Sequence, residues 1–171
     1  DNGVSVVHCP ASNLKLANGQ CPVSLMLASN INVCLGTDGA ASNNDLDIIN
    51  EMHLAALVGK VTANDAGAIP AWQALAMATI NGARAMGLDD RIGSLETGKF
   101  ADILALDLNH VSTQPVYDVA STLVYSASAS QVSHLWVGGQ LTVEHGRLLT
   151  LDVSQIIHKA QQWSELIKSD N

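Results

Sequence analysis

The chain has 171 residues, 47% of them hydrophobic, which is enough for a sizeable core and lies outside the disordered range. Sixteen acidic residues against eight basic give a formal charge of -8, and this excess repels phosphate backbones and anionic bilayers, so neither nucleic acid nor membrane is expected as a partner. Cys9, Cys21 and Cys34 show no CxxC spacing and read as reduced thiols, and no apolar run reaches transmembrane length or follows a signal-peptide pattern, so a soluble, cytoplasmic protein is expected.

The sequence opens on Asp1-Asn2-Gly3 without an initiator methionine and enters a strand-like segment at once, as a piece of a longer chain would. Val4 to Cys9 is apolar on both alternating faces, the pattern of a strand covered on both sides in a parallel sheet. Pro10 is expected to stop it, and residues 10 to 21 read as a polar functional loop. Pro22 suits the first turn of a short helix to about Ser29, with Val23, Met26 and Leu27 on one face. Ile31 to Leu35 is a second buried strand, which completes a βαβ unit.

That strand runs into Gly36-Thr37-Asp38-Gly39. Asp-Gly is a common turn former, so Asp38 reads either as a strand-ending turn residue or as a carboxylate held at a strand end for chemistry. Ligands gather at the C-terminal ends of strands in such units, where both His8 and Asp38 fall, and this weighs toward the second reading.

Asn43, Asn44 and Asp45 are expected to cap a helix reaching Val61, with Leu46, Ile49, Met52 and Leu57 on its apolar face and His53 as a solvated residue off it. Pro70 opens a further helix over 71–78, which Asn81-Gly82 is expected to break before a second piece, Ala83 to Met86. From Ile92 the chain turns glycine-rich, and a domain boundary is expected there, dividing it into 1–91 and 92–171. Ala101 to Leu106 reads as a strand and Val116 to Ser126 as a weak helix. Val132 to Val137 and Gln140 to Val143 form a hairpin around Gly138-Gly139, a short strand starts at Gly146, and an amphipathic helix runs from Val153 to Ser169. His134 and His145 have no partner at ligand spacing in the sequence, and His158 and Trp163 read as surface and packing residues.

No GxGxxG, P-loop, GxSxG or HExxH motif is present, and EF-hand spacing fails after Asp38. Adjacent strand residues point to opposite faces, so His8-Cys9 does not make a metal pair and His8 reads as a supporting or structural histidine.

Four ordered motifs carry a resemblance. They are His8-Cys9-Pro10-Ala11-Ser12-Asn13; Leu35 to Asn44 followed by Glu51-Met52; Ala78 to Ala85; and Ile92 to Lys99 with Ala101-Asp102. Over nearly its whole length the chain resembles the amidohydrolase superfamily, and within it the chlorohydrolase-like branch that deaminates 5-methylthioadenosine and S-adenosylhomocysteine.

The resemblance implies an α/β fold: the C-terminal part of a metal-dependent (β/α)8 barrel, with strands seven and eight at 4–9 and 31–36, then strands of a small β-sandwich and a terminal helix. It implies that Asp38 binds a divalent metal, usually zinc, contacts the purine nucleoside substrate and takes a proton from the attacking water. His8, Asn13, Ser42 and Asn43 are implied at the site mouth or behind it. The family's other metal-binding histidines and its acid/base glutamate precede the first residue here. The implied partners are therefore an N-terminal portion of the same enzyme and further copies in a homo-oligomer, without which neither tight zinc binding nor deamination is expected. Alternatives are an amidohydrolase acting on another ring amine or chloride, such as guanine, cytosine or a triazine, and a non-catalytic interaction module.

Overall fold

A computed structural model of the chain describes residues 3–169, so the opening Asp1-Asn2 lies outside the described residues. Helices and strands are mixed, in two sheets. Strands β1 (Ser5–His8) and β2 (Asn32–Leu35) pair in parallel, Val7 beside Cys34 and His8 beside Leu35. The connection between them holds two helices, α1 (Pro10–Lys15) and α2 (Val23–Ala28). Residues 10–15 are thus helix rather than loop: Pro10 stops the strand but occupies the first helical position, where its missing N–H costs nothing.

After β2 come α3 (Ala40–Asn43) and α4 (Ile48–Ala63). The cap of α4 is Asp47, whose side chain accepts from the Ile49 N–H at 2.8 Å, not the expected Asn43 to Asp45, because a short helix consumes Asn43 first. Helices α5 (Ala71–Ala78) and α6 (Ile80–Ala85) meet at Thr79, with φ -130° and ψ -97°. The break therefore falls two residues before Asn81-Gly82. Asn81 stays in α6 because it is anchored to β2, donating to Val33 O at 2.9 Å while its own carbonyl accepts from Asn32 Nδ2 at 3.0 Å.

The core lies between β2 and α4, α5 and α7 (Val119–Tyr125). Val33 and Leu35 meet Ile49, Met52, Ala55 and Ala56 of α4, Ala71, Ala74 and Met77 of α5, and Val124 of α7. The alanines let these helices approach closely. Gly59 packs tightly against the loop after α4: a β-carbon there would lie 2.5 Å from Ile69 Cγ1, and Ile69 is itself buried. Lys60 fastens the same loop, donating to the Ala68 and Ile69 carbonyls at 2.8 and 3.0 Å.

The second sheet is antiparallel, in the order β3 (Ile103–Leu106), β4 (Val132–Val137), β5 (Gln140–Glu144) and β6 (Arg147–Leu148). Gly138 and Gly139, with φ 57° and 81°, make the expected two-residue turn, since a tight hairpin needs positive φ at both positions. Helix α8 (Val153–Ser169) closes the chain, and its Trp163 is exposed rather than packed. No helix among the described residues is long and apolar enough to cross a membrane.

Candidate active site

Asp38 sits three residues beyond the end of β2 with φ 62°, in the left-handed region that aspartate tolerates better than most side chains. Its Oδ2 accepts from Ser42 Oγ at 2.6 Å, from the helix that follows, and from Ser12 Oγ at 2.9 Å, from α1. Ser42 also approaches Gly39 O at 3.1 Å, but a hydroxyl has one proton and the shorter bond to a charged acceptor takes it. These bonds, the Ser42 bond first, then Ser12 and the Gly39 backbone, pull the Asp38 carboxyl below the usual carboxylate range. The side chain is solvent-exposed, so an ionised carboxylate is presented at the strand end with one oxygen held by two hydroxyls.

Beneath it lies Glu51, which belongs to one of the four sequence motifs but to which the sequence reading gave no role. Glu51 of α4 is 0% exposed, yet both its oxygens are used. Oε2 accepts from the Ala11 N–H at 3.1 Å, at the N-terminus of α1, and Oε1 accepts from Asn43 Nδ2. Asn43 completes the chain by accepting from the Leu46 N–H at 2.7 Å. Burial pushes the Glu51 carboxyl up, opposed by the bonds from Ala11 and Asn43. Lys15 adds an outer clasp from α1 to the Ala41 carbonyl at 2.8 Å and to Asn44 Oδ1. A single carboxylate thus ties together the helices that carry Ser12 and Ser42. The available signal was Glu51 standing on the buried stripe of α4, beside Met52 and two residues from Ile49.

The sequence-derived residues separate into roles. Ser42 touches Asp38 directly, while Asn43 turns away to Glu51. Asn13 is half-buried on α1, and it is its neighbour Ser12 whose side chain reaches Asp38. His8 is 3% exposed and its Nδ1 has no hydrogen-bond partner; burial lowers its pKa and keeps the ring neutral. Cys9, Cys21 and Cys34 are all free thiols. His53 is not solvated as expected: its Nδ1 lies 3.1 Å from Val124 O and its ring packs edge-on against Tyr125, because α7 covers this side of α4. His134 and His145 also gain partners that linear spacing concealed, since the hairpin brings them together with Glu144.

A divalent metal is implied by the resemblance, and Asp38 fits the role of one ligand: it is ionised, exposed and oriented by neutral hydroxyls rather than neutralised by a cation. It supplies one donor, and the three-ligand group among the described residues does not include it.

A family model described as the amidohydrolase family matches residues 1–142. The chain is 52% identical over 165 residues to a 5-methylthioadenosine/S-adenosylhomocysteine deaminase of Teredinibacter turnerae, a match covering 96% of this chain and 37% of that protein. Among solved structures it superposes on a zinc-bound adenosine deaminase from Xanthomonas campestris with a TM-score of 0.96 at 46% identity, covering 98% of this chain and 38% of the other. It superposes on the atrazine chlorohydrolase of Arthrobacter aurescens, complexed with zinc, with a TM-score of 0.87 at 31% identity, covering 94% and 36%. The chain therefore spans little more than a third of the length of the proteins it matches. With 142 matched residues that include both paired strands and the Asp38 site, the chain belongs to the amidohydrolase family.

Proposed function

We propose that this chain is the C-terminal portion of a metal-dependent hydrolytic deaminase acting on the adenine ring of 5-methylthioadenosine and S-adenosylhomocysteine. The observation that carries the reading is the Asp38 carboxylate, ionised by Ser42 and Ser12 at the end of a parallel strand. The deaminase name of the Teredinibacter relative supports the substrate assignment. On this reading β1 and β2 are the seventh and eighth strands of a (β/α)8 barrel, with barrel residues at 1–91 and residues of a small β-sandwich and terminal helix at 92–171. Exposed Val7 on β1 and Val4 just before it support an N-terminal portion that covers them, as does the greater length of the relatives. A cytoplasmic homo-oligomer completes the proposal.

A divalent metal, zinc on the precedent of the neighbours, would supply the Lewis acidity that makes water nucleophilic near neutrality. Asp38 would be its ligand from this chain. Asp38 also accepts the proton of the attacking water and passes it to the departing amine, as water adds to the ring carbon bearing the amine and ammonia leaves. Ser12 and Ser42 hold the carboxylate oxygen that does not move the proton, and Glu51 holds the serines' helices in place.

The test is ultraviolet detection of adenine-to-hypoxanthine conversion by the full-length enzyme, alone and with Asp38→Asn. A fall in kcat/KM of at least about 10²-fold in the variant is expected; equal turnover by the two proteins would sink the reading. The 0.87 TM-score to the atrazine chlorohydrolase favours, as a second reading, another ring amine or chloride as the leaving group. A panel with guanine, cytosine and a chlorotriazine separates the two.

A further inference from the structure

The β4–β5 hairpin gathers ligating side chains that the Asp38 site does not use. His134 and Glu144 are a direct cross-strand pair, so both leave the same face of the sheet. His145 follows Glu144 and by strand alternation would point to the opposite face. It does not, because it is the first residue of the turn into β6 and has φ 48°, followed by Gly146 at 73°. The left-handed backbone breaks the alternation and brings the His145 ring to 4.9 Å from that of His134, centroid to centroid. One ligand atom from each of His134, Glu144 and His145 then lies within 4.8 Å of the other two.

One contact orients the His134 ring: its Nδ1 lies 3.1 Å from Ser133 Oγ, which itself lies 3.2 Å from Ala105 O. Nε2 is then the nitrogen on the far side of the ring from the serine, and Trp136 stacks on the ring at 5.5 Å and 11°, limiting its rotation. Arg147 pairs in register with Glu144 across β5 and β6, yet no ion pair ties its guanidinium to that carboxylate among the described residues.

We propose that His134, Glu144 and His145 form a binding site for a borderline transition-metal dication, of the Zn²⁺, Ni²⁺ or Cu²⁺ class. Two imidazoles and one carboxylate suit these ions, whereas Mg²⁺ and Ca²⁺ select oxygen. Bonds of about 2.0–2.2 Å hold two ligand atoms no more than about 4.2 Å apart, so rotation of the exposed Glu144 and His145 side chains closes the set, and water fills the remaining positions.

The test uses the full-length protein stripped of metal, with Zn²⁺ alone as the titrant and Cu²⁺ as a spectroscopic probe. His145→Asn retains a residue at ease with positive φ, and His134→Gln removes the second imidazole. Wild type is expected to bind one more Zn²⁺ per chain than the double variant. Its Cu²⁺ paramagnetic resonance should carry a nitrogen-split signal, additional to that of the Asp38 site, that the double variant loses. Glu144→Gln, an exposed change that leaves the strand intact, should weaken Zn²⁺ binding at this site at least tenfold. Asp38→Asn should leave it unchanged, so failure here is distinguishable from failure of the deaminase reading. Equal Zn²⁺ stoichiometry and nitrogen splitting in wild type and double variant, or an unaltered affinity in Glu144→Gln, overturns the proposal.

Discussion

Glu51 accepts a hydrogen bond from the Ala11 N–H, 40 residues away, and this contact joins the buried face of α4 to the first turn of α1. Through it a fully buried carboxylate sets the position of Ser12, which in turn holds Asp38. The cost of burying a charge is offset because both oxygens meet donors, one of them at a helix N-terminus where negative charge is favoured.

Glu51→Gln tests this arrangement with almost no change of shape. Both oxygens of Glu51 accept, so a glutamine amide must place its NH2 against one of two N–H donors. Asn43 cannot relieve the conflict by turning over, because its oxygen is engaged by the Leu46 N–H. A loss of about 1–3 kcal/mol in unfolding free energy is expected, read from urea denaturation of the full-length protein. Unchanged stability would show that Glu51 contributes nothing through these bonds.

Ser42→Ala and Ser12→Ala each remove a hydrogen bond that favours the ionised form of Asp38, and so raise its pKa. Asp38 acts as the carboxylate, so the acid limb of the kcat/KM profile should move to higher pH in both variants. Ser42 provides the larger effect and should give the larger displacement. At neutral pH the loss should stay within about 150-fold, the upper end for one hydrogen bond to a charged group. Acid limbs identical to wild type would contradict the role of the serines.

His8 makes stability depend on pH in a defined direction. Its pKa in the folded protein is depressed below the usual 6.5, so at pH values just below 6.5 the unfolded chain binds a proton that the folded chain does not. The contribution is fully present above about pH 6.5 and is lost as pH falls through the interval down to the depressed pKa. The urea midpoint should therefore drop further between pH 7.5 and 5.5 in wild type than in His8→Gln. Parallel pH profiles would refute it.

Gly59→Ala should destabilise by about 1–3 kcal/mol, the usual cost of overpacking. The added carbon would lie 2.5 Å from Ile69 Cγ1, a buried side chain on a backbone with φ 46° that has little room to move. Thermal unfolding reads the loss, and Ile69→Ala, which removes Cγ1, should cost less in the Gly59→Ala chain than in wild type.

Several elements were legible from local chemistry. The parallel strands showed as doubly apolar runs, the Gly138-Gly139 turn as a dipeptide able to take two positive φ values, and Asp38 as a carboxylate placed where a strand ends. Other features were hidden because a distant partner supplies them. Residues 10–15 look polar and loop-like, yet they are helical where α3 and α4 receive them, through Lys15 to Ala41 and Ala11 to Glu51. His53 looked solvated because its partner, the Val124 carbonyl of α7, lies 71 residues on.

The sequence by itself determined the order of the strands and of the longer helices, the apolar stripes that form the core and the identity of the carboxylate at the strand end. These depend on periodicity and residue type, which are properties of short windows. Only the tertiary structure decided which hydroxyls ionise Asp38, that Glu51 is a buried tie between helices, and that His134, Glu144 and His145 converge. Each of these relations is set by strand register, helix packing or a single left-handed residue, and the distances they fix join positions that no local pattern connects.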